Sequence, residues 1–326
     1  MWVATLCERS LGNDTSTTPG SRRCGALLAP GPALRRGTGR RKGSDVGNSR
    51  AVFLDVDGTL VNERGLVPDS ARQAVRRARA NGHRVFLCTG RSPAELWPEV
   101  IDVGFDGLVA ASGAFVEVGN EVLLHRGLTE RDVDHVLRFF ALRQVDFYFQ
   151  SNDGIYATRA VRSRLRRLIG GSVTDVEVLA ELERGLFGFV DAIKVDADPY
   201  ATVITKVIYL FSDVPLDELR AEFAGSFDVV PSSVPLFGPH SGEMTLPGVN
   251  KATGIHAVLE HLGIDRTDTI AIGDSYNDLE MLEHVAVGVA MGNAPTAVKE
   301  IADEVTTTVD ENGIRLSFLR HGLLGP

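Results

Sequence analysis

Val52-Phe53-Leu54-Asp55-Val56-Asp57-Gly58-Thr59-Leu60 is an apolar run that stops at two aspartates two positions apart. With Ala51 it supplies four consecutive apolar residues, the pattern of a strand buried on both faces of a parallel sheet. A buried strand does not tolerate two carboxylates unless hydrogen bonds or a cation compensate them. Asp55 and Asp57 are therefore expected where the strand emerges at its C-terminal end, which is where open α/β sheets bind ligands. A hard, oxygen-loving cation such as Mg²⁺ is the simplest compensating partner, and it typically brings a phosphate with it. A plain Asp-Gly turn would use the same residues, so the remainder of the chain has to decide between the two.

Outward from this stretch the pattern alternates. Pro68 precedes a helical segment from Asp69 to Asn81, with Ala71, Ala74, Val75 and Ala78 on one face and Gly82 at its end. Arg84-Val85-Phe86-Leu87-Cys88 is the next apolar strand, running into Thr89-Gly90-Arg91-Ser92. Strand, helix and strand in this order predict a right-handed βαβ unit, placing Thr89 at a strand end beside the first. A hydroxyl and backbone N–H groups there suit a phosphoryl group. The alternation resumes near the C-terminus. Lys251 to Gly263 reads as a helix, and Thr269 to Ile272 as a strand ending in Gly273-Asp274-Ser275-Tyr276-Asn277-Asp278. A helix from Leu279 to His284 and a strand from Val285 to Met291 follow. Asp274 and Asp278 also suit a helix cap and a first helical turn, roles compatible with chemistry.

Composition narrows the function classes. The 326 residues are 44% hydrophobic and 24% charged, ordinary globular material, with a formal net charge of −9. Residues 1–50 carry nine basic and three acidic residues, a balance of +6, which leaves −15 on the remainder. An acidic body argues against nucleic acid as a partner, yet a small phosphate ester can be met locally by a metal and one lysine. Residues 1–48 are rich in Gly, Ser, Thr, Pro and Arg without periodicity, and read as a disordered basic tail. Ala26-Leu27-Leu28-Ala29 is too short for a secretory core. Cys7, Cys24 and Cys88 are too scattered for a disulfide framework, which suits the cytoplasm. No apolar stretch has the length of a membrane span. Nothing in the sequence indicates the oligomeric state.

Together these residues resemble, in order, the four motifs of the haloacid dehalogenase superfamily. Asp55-Val56-Asp57-Gly58-Thr59 is similar to the first, Thr89-Gly90-Arg91 to the second, Lys251 to the third, and Gly273 to Asp278 to the fourth. Val289-Ala290-Met291-Gly292-Asn293-Ala294, Ala302-Asp303 and Asn312-Gly313 narrow the resemblance to the Cof-like sugar-phosphate phosphatases, over roughly residues 51–320. One departure is Ser112-Gly113-Ala114, where such proteins commonly carry Asn-Gly-Ala. The implied fold is an α/β, Rossmann-like parallel-sheet core with an inserted α/β cap of class II, subclass B. The 159 residues from Ser92 to Asn250 are too long for a loop and contain further strand-like and helical runs. The expected boundaries are a core of 49–92 and 246–326 with a cap of 93–245.

The resemblance also implies roles. Asp55 would be the nucleophile forming an aspartyl-phosphate, Asp57 the general acid and base, and Lys251 the cation that neutralises both phosphoryl oxygens and Asp55. Thr89, Gly90 and Asn277 would hold the phosphate. Mg²⁺ would take Asp55, the Asp57 main-chain carbonyl and Asp274, with Asp278 acting nearby, through water or on Lys251. Lys206 is a rival for the lysine role, less favoured because it lies inside a strand of the insertion. His240, Glu243 and Arg91 are suspects for substrate contact. The expected partner is a small phosphorylated metabolite, not nucleic acid or a membrane. A phosphomutase would use the same aspartates, and a non-catalytic sugar-phosphate sensor could share the fold; a dehalogenase would need neither the acid at Asp57 nor the metal carboxylates.

Overall fold

The computed structural model describes residues 49–170, 190, 192–232 and 237–325. The tail expected over 1–48 lies outside the described residues. The chain forms two compact units, one of residues 92–95 and 126–249 and the other of the remaining described residues.

The second of these, the core unit, begins with β1 (Ala51–Leu54), α1 (Asp69–Ala80) and β2 (Arg84–Cys88). β1 is buried along its length because it has parallel neighbours on both sides and an apolar layer on each face. Val52 and Leu54 point into one layer with Ala74, Val75 and Phe318, while Ala51 and Phe53 enter the other with Ile255, Val258 and Met281. β3 (Gly107–Ala110) then pairs parallel to β2, and β4 (Phe115–Val118) and β5 (Glu121–His125) follow as an antiparallel meander. Residues 96–125 fall in the core unit and residues 246–249 in the inserted one, whereas the expected cap ran from 93 to 245. The Phe86↔Gly107 register extends the first sheet by three strands before the chain leaves it.

The inserted unit carries α2 (Glu130–Arg143), β6 (Asp146–Ser151), β7 (Gly154–Ala157), α3 (Arg159–Gly170) and β8 (Lys194–Val195). It continues with β9 (Ile204–Leu210), α4 (Leu216–Glu222), β10 (Asp228–Pro231) and β11 (Gly242–Thr245). Among the described residues its strands run in the order β10-β11-β9-β6-β7-β8, antiparallel except at β7–β8. Phe140, Phe147, Phe149, Tyr209 and Phe223 fill one face beneath α2 and α4. Tyr148, Ile155, Ile208 and Leu210 meet Val161 and Leu165 of α3 on the other. Lys206 donates to Glu243 at 2.7 Å within this sheet, so the buried ammonium has an opposite charge beside it.

The chain returns to the core through α5 (Lys251–Leu262), β12 (Thr269–Gly273), α6 (Leu279–His284), β13 (Val287–Ala290), α7 (Thr296–Ile301), β14 (Glu304–Val305) and α8 (Gly313–Arg320). The full order is β14-β13-β12-β1-β2-β3-β4-β5, with the first six strands parallel. β1 leads outward to β2 and β3, whereas β12 leads the opposite way to β13 and β14. The direction of winding therefore reverses between β1 and β12, creating a crevice at their C-terminal ends.

Candidate active site

Asp55 follows β1 directly, its N–H bonded to the Ile272 carbonyl of β12 at 3.0 Å. Asp274 follows β12, so the reversal of winding sets two aspartates side by side. After Asp55 the chain turns sharply: Leu60 and Val61 N–H groups both donate to the Val56 carbonyl, and Gly58 N–H to Val61. Gly58 has φ +79 and lies against Asp274; a Cβ there would sit 2.3 Å from Asp274 Oδ2. This turn needs glycine for both its dihedral and its closeness.

Lys251 opens α5, where Asn250 and Thr253 form a capping box. Its side chain is buried, and Nζ donates to Asp55 Oδ1 at 2.6 Å, Asp278 Oδ1 at 2.5 Å and Asn277 Oδ1 at 3.3 Å. Burial alone would drive this ammonium toward neutrality, but the charges of Asp278 and Asp55 outweigh it and raise its pKa. The lysine is held charged between two carboxylates. Asp278 is also fixed from its other oxygen, which accepts from the N–H groups of Asp274 and Ser275 at 2.9 and 3.0 Å. With both oxygens engaged, Asp278 serves here as the anchor of Lys251 and the cap of its own turn. Asn277, expected at the phosphate, turns its amide oxygen to Lys251 and to the Ser275 hydroxyl.

Asp55, Asp274 and Asp278 bring a ligand atom each within 4.8 Å of one another. With all three ionised, this cluster would carry two negative charges beyond that of Lys251. Burial first, and then the charge of Asp278, push Asp55 well above the usual carboxylate range. The same causes push Asp274 up to about 7 despite a hydrogen bond from Thr59. Such crowding of oxygen donors around an uncompensated charge fits a hard divalent cation. Asp55 and Asp274 would hold it, with the Asp57 carbonyl.

Asp57 itself points elsewhere. Its half-exposed carboxylate takes a bidentate pair from Arg91, Nε at 2.7 Å and Nη2 at 2.8 Å. Desolvation would raise its pKa, but Arg91 overrides this and lowers it. The Arg91 guanidinium lies over the Trp97 ring at 4.9 Å. Arg91 is thus a site residue whose partner could not be read from sequence, the pair being 34 positions apart.

Thr89 is buried at the end of β2, one position beyond the level of Asp55 in the Leu54↔Leu87 register. Its hydroxyl accepts from Arg91 N–H at 3.1 Å, which shapes the Thr89-Gly90-Arg91 turn. Ala111 and Ser112 close this turn from outside by donating their N–H groups to the carbonyls of Arg91 and Thr89. Cys88 beneath the lysine is buried and its pKa is raised by that burial.

Residues 52–317 match the family described as haloacid dehalogenase-like hydrolase. The 5-amino-6-(5-phospho-D-ribitylamino)uracil phosphatase YcsE of Bacillus subtilis is 31% identical over 278 residues, covering 84% of this chain and 96% of that protein. A crystal structure of a hypothetical protein from Geobacillus kaustophilus is 29% identical, with a TM-score of 0.68 over 84% of this chain and 99% of that one. The structure of BT4131, described as a HAD subclass IIB sugar phosphatase, is 25% identical with a TM-score of 0.65, covering 84% of this chain and all of that one.

Proposed function

The chain belongs to the haloacid dehalogenase-like hydrolases, in the Cof-like group, and is a phosphatase; from that premise we propose that it is a Mg²⁺-dependent phosphomonoesterase for small phosphorylated metabolites, sugar phosphates foremost. The observation that carries this reading is the buried Lys251 ammonium bonded to both Asp55 and Asp278, with Asp274 beside them.

A phosphate monoester resists attack because its anionic oxygens repel nucleophiles and its alkoxide leaves poorly. A bound Mg²⁺ would screen that repulsion and align the phosphoryl group. The free oxygen of Asp55 attacks phosphorus while Lys251 fixes the other oxygen, so the nucleophile has one orientation. The P–O bond to the substrate breaks, and Asp57 gives its proton to the departing oxygen. Water then attacks the phosphorus of the aspartyl-phosphate as Asp57 takes its proton, returning the Asp55 carboxylate and inorganic phosphate. The Arg91 pair favours ionised Asp57, the form that the second half-reaction uses. For the first half-reaction Asp57 has to gain a proton, which the Arg91 pair opposes. Thr89 and the Gly90 N–H are assigned to the phosphoryl oxygens, and Asn277 to steadying Lys251.

The sugar-phosphate class is supported by the subclass IIB sugar phosphatase among similar structures. We assign the enzyme to the cytoplasm, which the buried free thiol of Cys88 supports. Among the described residues no helix is long and apolar enough to cross a membrane. The test is release of inorganic phosphate from a panel of phosphorylated sugars and other small esters with Mg²⁺. Turnover is expected on sugar phosphates and lost in Asp55→Asn. No release from any member, or isomerisation without free phosphate, would overturn the proposal.

A further inference from the structure

Asn293 lies in the loop after β13, within the string Val289 to Ala294. Its Nδ2 donates to the Gly58 carbonyl at 2.8 Å and faces Asp274 Oδ2 at 3.2 Å. A main-chain carbonyl offers no hydrogen, so the Asn293 amide meets Gly58 with its nitrogen, whose second hydrogen is left for Asp274. One side chain thereby ties together the ends of three neighbouring strands, β1, β12 and β13.

The arrangement fixes Asp274 from both sides. Thr59 Oγ1 donates to Oδ1 at 3.2 Å, Asn293 holds Oδ2, and the bare Cα of Gly58 packs against the carboxylate. The same contacts fix the turn that carries the Asp57 carbonyl. Gly58 N–H is committed to Val61, and the Gly58 carbonyl to Asn293, so the peptide planes on both sides of Gly58 are set. The Asn293 loop is itself braced: Gly292 donates its N–H to the Thr307 carbonyl, and its own carbonyl accepts from Lys299 Nζ at 2.7 Å.

We infer that Asn293 is a positioning residue for the divalent cation, orienting Asp274 and the Asp57–Gly58 turn before the cation arrives. This rests on reading Asp55, Asp57 and Asp274 as the cation's ligands. A carboxylate free to rotate would lose that freedom on binding, and polar partners behind a metal ligand typically govern affinity for this reason. Each Asp274 oxygen retains a lone pair for a cation while accepting one hydrogen bond.

The experiment is calorimetric titration of EDTA-stripped protein with Mg²⁺ alone, together with melting temperatures in EDTA and in Mg²⁺. Asn293 is solvent-exposed, so Asn293→Ala spares the core. Asn293→Gln, which keeps the donors but displaces them by one methylene, is the second variant. Both are expected to bind Mg²⁺ about ten- to a hundredfold more weakly, with unchanged melting in EDTA and a smaller rise on adding Mg²⁺. Affinity equal to wild type in both variants would overturn the inference. So would a loss confined to the melting temperature in EDTA, which marks a merely structural bond. Wild-type protein that takes up no Mg²⁺ would overturn the cation site itself, a distinguishable failure.

Discussion

Lys251 and the carboxylates around it define the residue scale. Two carboxylates share one buried ammonium, and a third aspartate, Asp274, adjoins them with no ion pair to a cationic side chain among the described residues. Replacing Asp55 by Asn keeps the shape and leaves Lys251 its Asp278 partner. The variant should stay folded while turnover falls by roughly a thousandfold or more, as expected for a lost nucleophile; a rate within tenfold of wild type would exclude Asp55 from that role. Asp274 supports a prediction in the opposite sense. Its carboxyl moves from 3.8 up to about 7, first through burial and then through the charge of Asp278. A carboxyl with a raised folded pKa binds its proton more tightly folded than unfolded. Its contribution is therefore favourable at low pH and is lost as pH climbs from about 4 toward about 7. Metal-free Asp274→Asn should accordingly melt higher than metal-free wild type at neutral pH, with a flatter dependence across that window, yet gain nothing from Mg²⁺. Melting curves in EDTA at several pH values measure this, and a neutral-pH variant less stable than wild type would contradict it.

At the scale of single elements, the turn between β3 and β4 is the most strained piece of the core. Ala111, Ser112 and Gly113 are successive left-handed residues, at φ 48, 53 and 97. Gly113 has no alternative, because a Cβ there would meet the Asn250 carbonyl at 2.1 Å. Ser112 has one, since asparagine tolerates the left-handed region better than serine does. Ser112→Asn is predicted to raise stability by a few tenths of a kcal/mol to about 1 kcal/mol and to leave turnover intact; a lower denaturant midpoint would refute this. The same turn shows what was legible beforehand. β1, β2 and β12 could be read because apolar runs buried on both faces stop at polar residues. The helix from Lys251 to Gly263 was read from its apolar face, and the structure adds the capping boxes at Thr129 and Asn250. The membership of β3 to β5 in the core sheet was not legible. Gly107 pairs with Phe86 across a 21-residue gap, and nothing local distinguishes that partner from a strand of the insertion. β10 and β11 were missed because Asp228, Pro231 and Glu243 interrupt any simple alternation. Three of the four site motifs were readable as strand-end strings and Lys251 as the start of a helix, whereas the Arg91–Asp57 and Asn293–Asp274 bonds join distant positions and exist only through the sheet's register.

For the whole molecule, the decisive fact is that each unit has its own sheet with apolar side chains packed on both faces. Phe53, Phe86, Phe105 and Phe318 belong to the core unit, and Phe140, Phe149 and Phe223 to the inserted one. Fully burying a phenylalanine contributes about 1.5–3 kcal/mol, so both units hold enough apolar surface to melt on their own account. Proteins built this way depart from two-state unfolding. The Asp55, Asp57 and Asp274 cluster lies wholly in the core unit, and a ligand stabilises only the part of the chain whose folded form binds it. Calorimetry of the EDTA-treated protein should therefore resolve two overlapping transitions, and millimolar Mg²⁺ should raise one and leave the other in place. The moved transition should stay put in Asp274→Asn, and phosphatase activity should vanish in EDTA and return with Mg²⁺. A single transition displaced as a whole by Mg²⁺ would mean that the inserted unit cannot hold its fold once the core has melted. Activity indifferent to chelation would remove the cation from the chemistry, and the excess negative charge around Lys251 would then need another counterpart.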